Sequence, residues 1–334
     1  MILVTGGLGF IGSHIALSLM AQGQEVIIVD NLSNASMQTL ERLEYIAGRY
    51  VPFAKLDVRN TPALNKVFEQ YSITAVVHCA GFKSLEESVL KPLEYYNDNV
   101  SSIMSLLRSM QRTGVRRLVH LSSIAVYGKS GLSLEESQSF NYTYANPYVK
   151  SQQMVEEIIR DTFRTDNEWN IAILRLSNIA GAFEHGILGE VVAPLPKNII
   201  PLAMQVAVQQ REAIELRQQA NTADQTVERS FVHVLDACDA VIASLHWLFE
   251  QTHSCEAFNI AGEVVSIQQL LARISEVTDT EIATVPAIHY EYPELDQLGA
   301  VVDKAQQYLH WQPKRSLEKM LEDEWRFYQN TLKH

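Results

Sequence analysis

A glycine-rich turn close to the start of the chain restricts its fold more than any other stretch. The run Thr5-Gly6-Gly7-Leu8-Gly9-Phe10-Ile11-Gly12-Ser13-His14 follows the apolar residues 1–4 and precedes an apolar-periodic segment carried by Ile15, Leu17, Leu19 and Met20. A short buried strand therefore enters a tight turn and then a helix. Gly6 permits the turn, Gly9 lets backbone approach a pyrophosphate, and Gly12 lets helix and strand pack closely. The helix N-terminus presents unpaired N–H groups and the positive end of its dipole to phosphate. Asp30 closes the next apolar run, Glu25-Val26-Ile27-Ile28-Val29. A carboxylate there accepts hydrogen bonds from the adenosine ribose and repels a 2′-phosphate, which selects NAD over NADP.

Strand-like segments at 1–5, 25–30, 51–56, 73–79, 116–122 and 170–176 are separated by stretches of helical spacing. That alternation predicts parallel strands with right-handed crossovers, an α/β doubly wound parallel sheet. Beyond about residue 178 the texture changes, with prolines at Pro194, Pro196 and Pro201 and a polar loop over 217–228. We divide the chain into an NAD-binding domain, 1–178, and a smaller substrate-binding lobe, 179–334, parts of which return to the first domain. A net charge of −12 argues against nucleic acid or an anionic membrane as partner, since both need basic patches. No apolar stretch is long enough to cross a bilayer, and no signal peptide is expected ahead of a turn that begins at the fifth residue. Cys79, Cys238 and Cys255 are too few and scattered for a disulfide framework or a zinc site. Buried thiols in a reducing, cytoplasmic compartment are the expectation.

The chemistry begins where the fifth strand ends, at Ser122-Ser123-Ile124-Ala125-Val126-Tyr127-Gly128. Asn146-Pro147-Tyr148-Val149-Lys150-Ser151-Gln152 then opens a long helical pattern. A Ser hydroxyl and a Tyr phenol beside a nicotinamide can together move a proton from a substrate hydroxyl. With these residues, the chain resembles the extended short-chain dehydrogenase/reductases, and within them the UDP-glucose (UDP-galactose) 4-epimerase family. The resemblance also rests on Asp57-Val58-Arg59, on His78-Cys79-Ala80-Gly81-Phe82-Lys83, and on Pro92-Leu93-Glu94-Tyr95-Tyr96-Asn97-Asp98-Asn99-Val100. Asn178, Asn198 and the run Arg229-Ser230-Phe231-Val232-His233 extend it into the lobe.

The resemblance implies roles. Gly6, Gly9, Phe10, Ile11, Gly12, Asp30, Asn31, Asp57, Val58, Ala80, Lys83, Asn99, Ser122 and Tyr148 would hold NAD. Ser123 and Tyr148 would be the catalytic hydroxyls, with Gln152 at the third catalytic position. Lys83, Ser123, Tyr148, Asn178, Asn198 and Arg229 would contact the UDP-sugar. Family members oxidise the sugar at C4 and reduce it again on the other face, and they form homodimers through helices corresponding to 86–113 and 145–164. Related 4,6-dehydratases carry an Asp-Glu pair just after the catalytic hydroxyl; here Ile124 and Ala125 stand there, which excludes elimination of water.

The chain departs from the pattern at four places. The family's Tyr-x-x-x-Lys ends here in Gln152. Gln152 can supply a hydrogen bond but no charge, and a unit charge at that range is worth roughly 2–4 kcal/mol, or about 1.5–3 pKa units of the phenol. Lys150 lies about 200° round the helix and cannot substitute; Lys83 is a candidate to compensate. In the lobe, Ala213-Ile214-Glu215-Leu216-Arg217 lacks an aromatic for stacking on uracil, Ser230 replaces an Asp, and a second phosphate-binding Arg is absent from 287–294. Two alternatives stay open: an epimerase or oxidoreductase of another nucleotide sugar, or a non-catalytic NAD-binding relative. His78, His120 and His233 read as satisfied core histidines or as residues that support a site from behind, the charged run 318–324 as a solvated helix face, and Trp311 as packing.

Overall fold

The computed structural model describes residues 1–143, 146–191, 198–287 and 294–331. Its strands are β1 (Ile2–Thr5), β2 (Val26–Asp30), β3 (Phe53–Lys55), β4 (Ala75–His78), β5 (Arg117–Ser123), β6 (Gly131–Leu134), β7 (Asn170–Leu176), β8 (Asn178–Ala180), β9 (Ile214–Leu216), β10 (Glu228–His233), β11 (Ser254–Ile260), β12 (Glu263–Ser266), β13 (Thr284–Pro286) and β14 (Gln297–Ala300). The helices are α1 (Phe10–Ala21), α2 (Met37–Ala47), α3 (Thr61–Gln70), α4 (Leu85–Leu90), α5 (Pro92–Tyr95), α6 (Ser101–Thr113), α7 (Pro147–Phe163), α8 (Ile199–Ala207), α9 (Val234–Glu250), α10 (Ile267–Thr278), α11 (Asp303–Leu309) and α12 (Leu317–Thr331). A π-helical turn over Tyr96–Val100 joins α5 to α6.

Seven strands form one parallel sheet in the order β11-β7-β5-β4-β1-β2-β3. Side chains alternate between its faces, as a period of two requires. Ile2, Val4, Ile28, Val77, Val119, Ala172 and Leu174 share one core with α1 and α9, while Leu3, Ile27, Val29, Val76, Leu118, Ile171 and Ile173 share the other with α3, α6 and α7. All six expected strands lie in this sheet. The seventh, β11, comes from the region we allotted to the lobe. Its polar Ser254, Glu256 and Asn259 hide the continuous apolar run that marks the other strands. Residues of α9, β11 and α11, with Trp311, also pack into the first core. In the other direction, β6 leaves the N-terminal part to pair with β14 in a second sheet, order β12-β10-β14-β6, with β8 on β10.

The strand order turns back at β1, and in such sheets the crevice that binds ligands lies outside the C-terminal ends of the strands at this point, here β1 and β4. Beneath it lies a buried ion pair. Arg175 on β7 meets Glu156 on α7 through Nη2–Oε2 at 2.8 Å and Nε–Oε1 at 3.1 Å, and both side chains are almost fully buried. Ser122 donates to Glu156 Oε1 at 2.7 Å, Arg160 donates to Oε2 at 2.8 Å, and the Arg175 guanidinium lies over the Tyr127 ring. Burial alone would push the Glu156 carboxyl up, but the charge and hydrogen bonds of Arg175 outweigh it and hold the group low. Its contribution is therefore present above the ordinary carboxylate range and is lost as pH falls through the depressed value. Removing one partner of such a pair strands the other in the core. Arg175→Met is expected to lower unfolding stability by about 3–5 kcal/mol in a urea titration at neutral pH, and the double variant with Glu156→Met to recover most of the loss.

Candidate active site

The glycine-rich turn takes its shape from contacts no side chain can replace. Gly6 sits at φ +65°, and a Cβ there would lie 2.7 Å from the Ala80 nitrogen. A Cβ on Gly12 would collide with the Gly6 carbonyl oxygen, so α1 can approach the turn only with glycine at this position. Gly9 caps α1 without a side-chain partner, and no acidic residue stands in the first turn. The amides of Phe10, Ile11 and Gly12 thus lack intrahelical acceptors and face the crevice mouth as an anion cradle.

Asp30, buried at the end of β2, accepts from the Leu8 N–H at 3.1 Å and the Leu32 N–H at 2.8 Å, which ties the turn to the neighbouring strand. Each carboxylate oxygen keeps a further lone pair for a ribose hydroxyl. Asn31 donates to Asp57 at 3.4 Å. Asp57 also takes a forked pair from Arg59, at 2.9 Å and 2.6 Å, and these bonds hold its carboxyl at about 2. Val58 beside it is buried in the core. Asn99 lies in the π-helical turn, a local distortion common at functional sites. Its side chain accepts from the Phe82 N–H at 2.8 Å and donates to the Phe82 carbonyl at 3.2 Å and to Ser151 at 2.9 Å. Asn99 therefore acts as a brace for the 80–83 segment, with its side chain already committed.

The hydroxyl pair stands at the end of β5. Ser123 caps the short 3₁₀ turn Ile124–Tyr127, accepting from the Ala125 N–H at 3.1 Å. Tyr148 begins α7, which Asn146 caps by accepting from the Val149 N–H at 2.9 Å. Burial pushes the Tyr148 phenol up, and its interaction with Ser123 draws it only partly back. Ser122, expected at the cofactor, spends its hydroxyl on Glu156 in the core; that expectation narrows to its main chain. Tyr148, Gln152 and Glu156 recur every four residues along one face of α7. Gln152 is 7% exposed, and its buried Oε1 has no hydrogen-bond partner.

The substrate-side residues fall into two groups, each organised by a carboxylate that our sequence reading missed. Glu190 accepts from Lys83 Nζ at 2.8 Å and from Asn198 Nδ2 at 3.3 Å. Glu294 accepts from Arg229 at 2.5 Å, and Arg229 also donates to the Glu228 and Asp296 carbonyls. Lys83 is thus already paired. Asn178, exposed at the start of β8, has its backbone opposite Phe231 of β10. Ser230 is buried, bonded both ways to the Gly262 backbone. The segment 288–293, where a second phosphate-binding Arg is absent from the sequence, lies outside the described residues.

Two other expectations are corrected. Within 318–324, Asp323 and Glu324 are buried: Asp323 pairs with His233, and Glu324 accepts from the Gly181 N–H at 2.9 Å. Burial pushes the Glu324 carboxyl up to about 8, with Glu190 nearby adding to the effect. His120 is buried against the Gln152 carboxamide, and its ring nitrogens have no partner beyond that group. His78 and His233 do have partners, in Thr5 and Asp323. Lone acidic residues in loops and on helices carry no periodic signal, which is why Glu190, Glu294 and Glu324 escaped a reading of pattern alone.

These residues fit NAD. The Gly12 contact brings α1 to the distance at which its free amides can receive a pyrophosphate, and Asp30 offers lone pairs to the adenosine ribose. The family described as "NAD dependent epimerase/dehydratase family" matches residues 2–261. UDP-glucose 4-epimerase 2 of Oryza sativa subsp. japonica is 39% identical over 331 residues, spanning 97% of this chain and 80% of that protein. UDP-glucose 4-epimerase of Bacillus subtilis (strain 168) is 35% identical over 330 residues, spanning 98% and 96%. The crystal structure of UDP-glucose 4-epimerase from Bifidobacterium longum in complex with NAD+ and UDP aligns with a TM-score of 0.95 at 31% identity, covering 99% of this chain and 98% of that one. The chain belongs to the NAD dependent epimerase/dehydratase family and, within it, to the UDP-glucose 4-epimerase branch of the extended short-chain dehydrogenase/reductases.

Proposed function

We propose that this chain interconverts UDP-glucose and UDP-galactose by NAD-dependent epimerisation at C4. The observation that carries the reading is the Ser123–Tyr148 pair at the C-terminal end of β5, followed by buried, apolar Ile124 and Ala125. A hydroxyl pair followed by two buried apolar residues, where elimination of water would need an acid and a base, suits reversible proton transfer at one carbon. NAD, when bound, supplies the two-electron oxidation and reduction of that carbon. Tyr148 takes the proton of the 4-hydroxyl and later returns it, while Ser123 holds the shared proton between phenol and sugar oxygen. Asn178, Asn198 and Arg229 hold the nucleotide-sugar, with Arg229 exchanging the Glu294 carboxylate for a phosphate oxygen of like charge.

The unusual feature is that, among the described residues, the helix position one turn after Tyr148 that would carry a cation holds neutral Gln152. Gln152 is neutral, and the ammonium of Lys83 sits on Glu190. The phenol, raised by burial, is therefore mostly protonated at neutral pH, and the active fraction grows as pH rises. We also propose a homodimer in a reducing, cytoplasmic setting. Leu90 and Leu93, on the α4–α5 segment, and Met154 on α7 are exposed apolar side chains, 67%, 78% and 46% accessible, suited to a second copy. The three cysteines are free thiols.

Incubation of purified protein and NAD with UDP-galactose is expected to give UDP-glucose by NMR, and Tyr148→Phe to slow this by about 10²–10⁴-fold. No conversion of any UDP-hexose at any pH, with NAD bound, would overturn the proposal. Gln152→Lys is expected to move the rising limb of the pH–rate profile down by about 1.5–3 units, with little change in the alkaline plateau. Leu93→Glu is expected to give a monomer in sedimentation velocity, against a dimer for the wild type.

A further inference from the structure

A row of buried polar side chains crosses the sheet under the glycine-rich turn. Thr5, His78 and His120 stand opposite one another in register on β1, β4 and β5. Thr5 Oγ1 lies 2.7 Å from His78 Nδ1, and the His78 and His120 rings stack with centroids 5.6 Å apart. The row ends against α7, where the carboxamide of Gln152 faces the His120 ring. At that meeting both ring nitrogens of His120 and Oε1 of Gln152 are buried and have no partner beyond one another. Unpaired buried groups are costly in a folded protein, and three that have only one another call for a function.

We propose that His120 is the positioning residue that replaces the missing lysine: its ring N–H donates to Oε1 of Gln152 and fixes the carboxamide so that the amide N–H₂ serves the nicotinamide ribose. This rests on the reading of the site as an NAD-dependent epimerase centre. The direction of the bond follows from the inventory of donors and acceptors. A carboxamide has one acceptor and two donor hydrogens. Were the amide to donate to His120, the buried Oε1 would remain orphaned. With His120 as donor, Oε1 is satisfied and both amide hydrogens stay free to donate. A neutral imidazole has one N–H to give, and His120 is neutral: burial holds its pKa at about 4, against the opposing pull of Glu156 on α7 and Gln152. His78, the other titratable neighbour, is likewise held neutral by burial and adds no charge, while Thr5 engages its far nitrogen. The pair thus supplies the lysine's hydrogen bond without its charge.

The test uses the full chain and needs no sugar. His120→Phe keeps the volume and removes the donor; it is expected to weaken NAD binding, read by calorimetry, about 5- to 10-fold. His120→Gln and His120→Asn each place an amide where one ring nitrogen was, and one of the two is expected to restore affinity. In a Gln152→Lys background, His120→Phe is expected to leave NAD affinity unchanged, because the lysine reaches the ribose without a partner. The imidazole ¹⁵N shifts of His120 are expected to differ between the wild type and Gln152→Leu. Unchanged affinity in His120→Phe, equal weakening in the lysine background, or unmoved ¹⁵N shifts in Gln152→Leu would overturn the proposal. The shift measurement decides the matter even if His120→Phe does not fold. A protein that binds NAD with this coupling yet epimerises nothing would refute the function and leave the role of His120 standing.

Discussion

Everything in the crevice depends on how closely α1 can approach the end of β1. The limiting contact is Gly12 against the Gly6 carbonyl, where a single methyl group would collide with backbone. That distance places the unpaired first-turn amides at the mouth of the sheet, and the same turn is anchored on its other side by Asp30 through the Leu8 N–H. Gly6 in turn crowds Ala80, so the segment after β4 is located by the same contact. Asn99 then braces residue 82 and reaches Ser151 on α7. A chain of backbone-to-backbone and backbone-to-amide contacts thus runs from the phosphate cradle to the helix that carries Tyr148. Such contacts position more rigidly than apolar packing, because each has one acceptable geometry.

The α7 face shows how one helix serves stability and chemistry together. Tyr148, Gln152 and Glu156 lie one turn apart, and the charge requirement reverses along the row. Glu156 is fully compensated by Arg175, Arg160 and Ser122, so the core below the site is electrostatically closed. Gln152 and His120 above it are neutral and have only each other as partners. Tyr148 at the top is raised by desolvation with only a hydroxyl to oppose it. No protein cation therefore sits in this row near the phenol, and a rate that rises with pH is the expected consequence.

The fold and half of the site were legible from sequence because they depend on local pattern. The glycine spacing, the six apolar runs and Asp30 at the end of one of them are short-range signals, and each strand forms where the runs stand. The strand β11 was missed because Ser254, Glu256 and Asn259 interrupt its apolar run, and Asn259 is polar for a tertiary reason: it bonds Tyr127 and the Leu134 carbonyl. Asp323 and Glu324 looked like a solvated helix face, since a run of charges carries no record of what packs on it. His120 looked like any core histidine; only its neighbours reveal that Gln152 is the one group it faces. Gln152 was visible as a departure, but its compensating residue lies thirty-two positions away on another strand.

The carboxylates of the lobe extend the same logic to the substrate. In a site built to receive a diphosphate, Lys83 with Asn198 and Arg229 would otherwise leave cationic and donor groups poorly satisfied. Glu190 and Glu294 supply oxygen pairs with the charge and acceptor geometry that a phosphate shares. Because the exchange of carboxylate for phosphate conserves charge, the net gain on binding is smaller than that from an unpaired cation. Affinity must then come more from the uridine and sugar contacts, in a lobe where β9 offers Ile214 and Leu216 to the core rather than an aromatic to a base. Under the proposed roles, substrate affinity and phenol ionisation are separable, since the first would act through Arg229 and Glu294 and the second through Gln152 and His120.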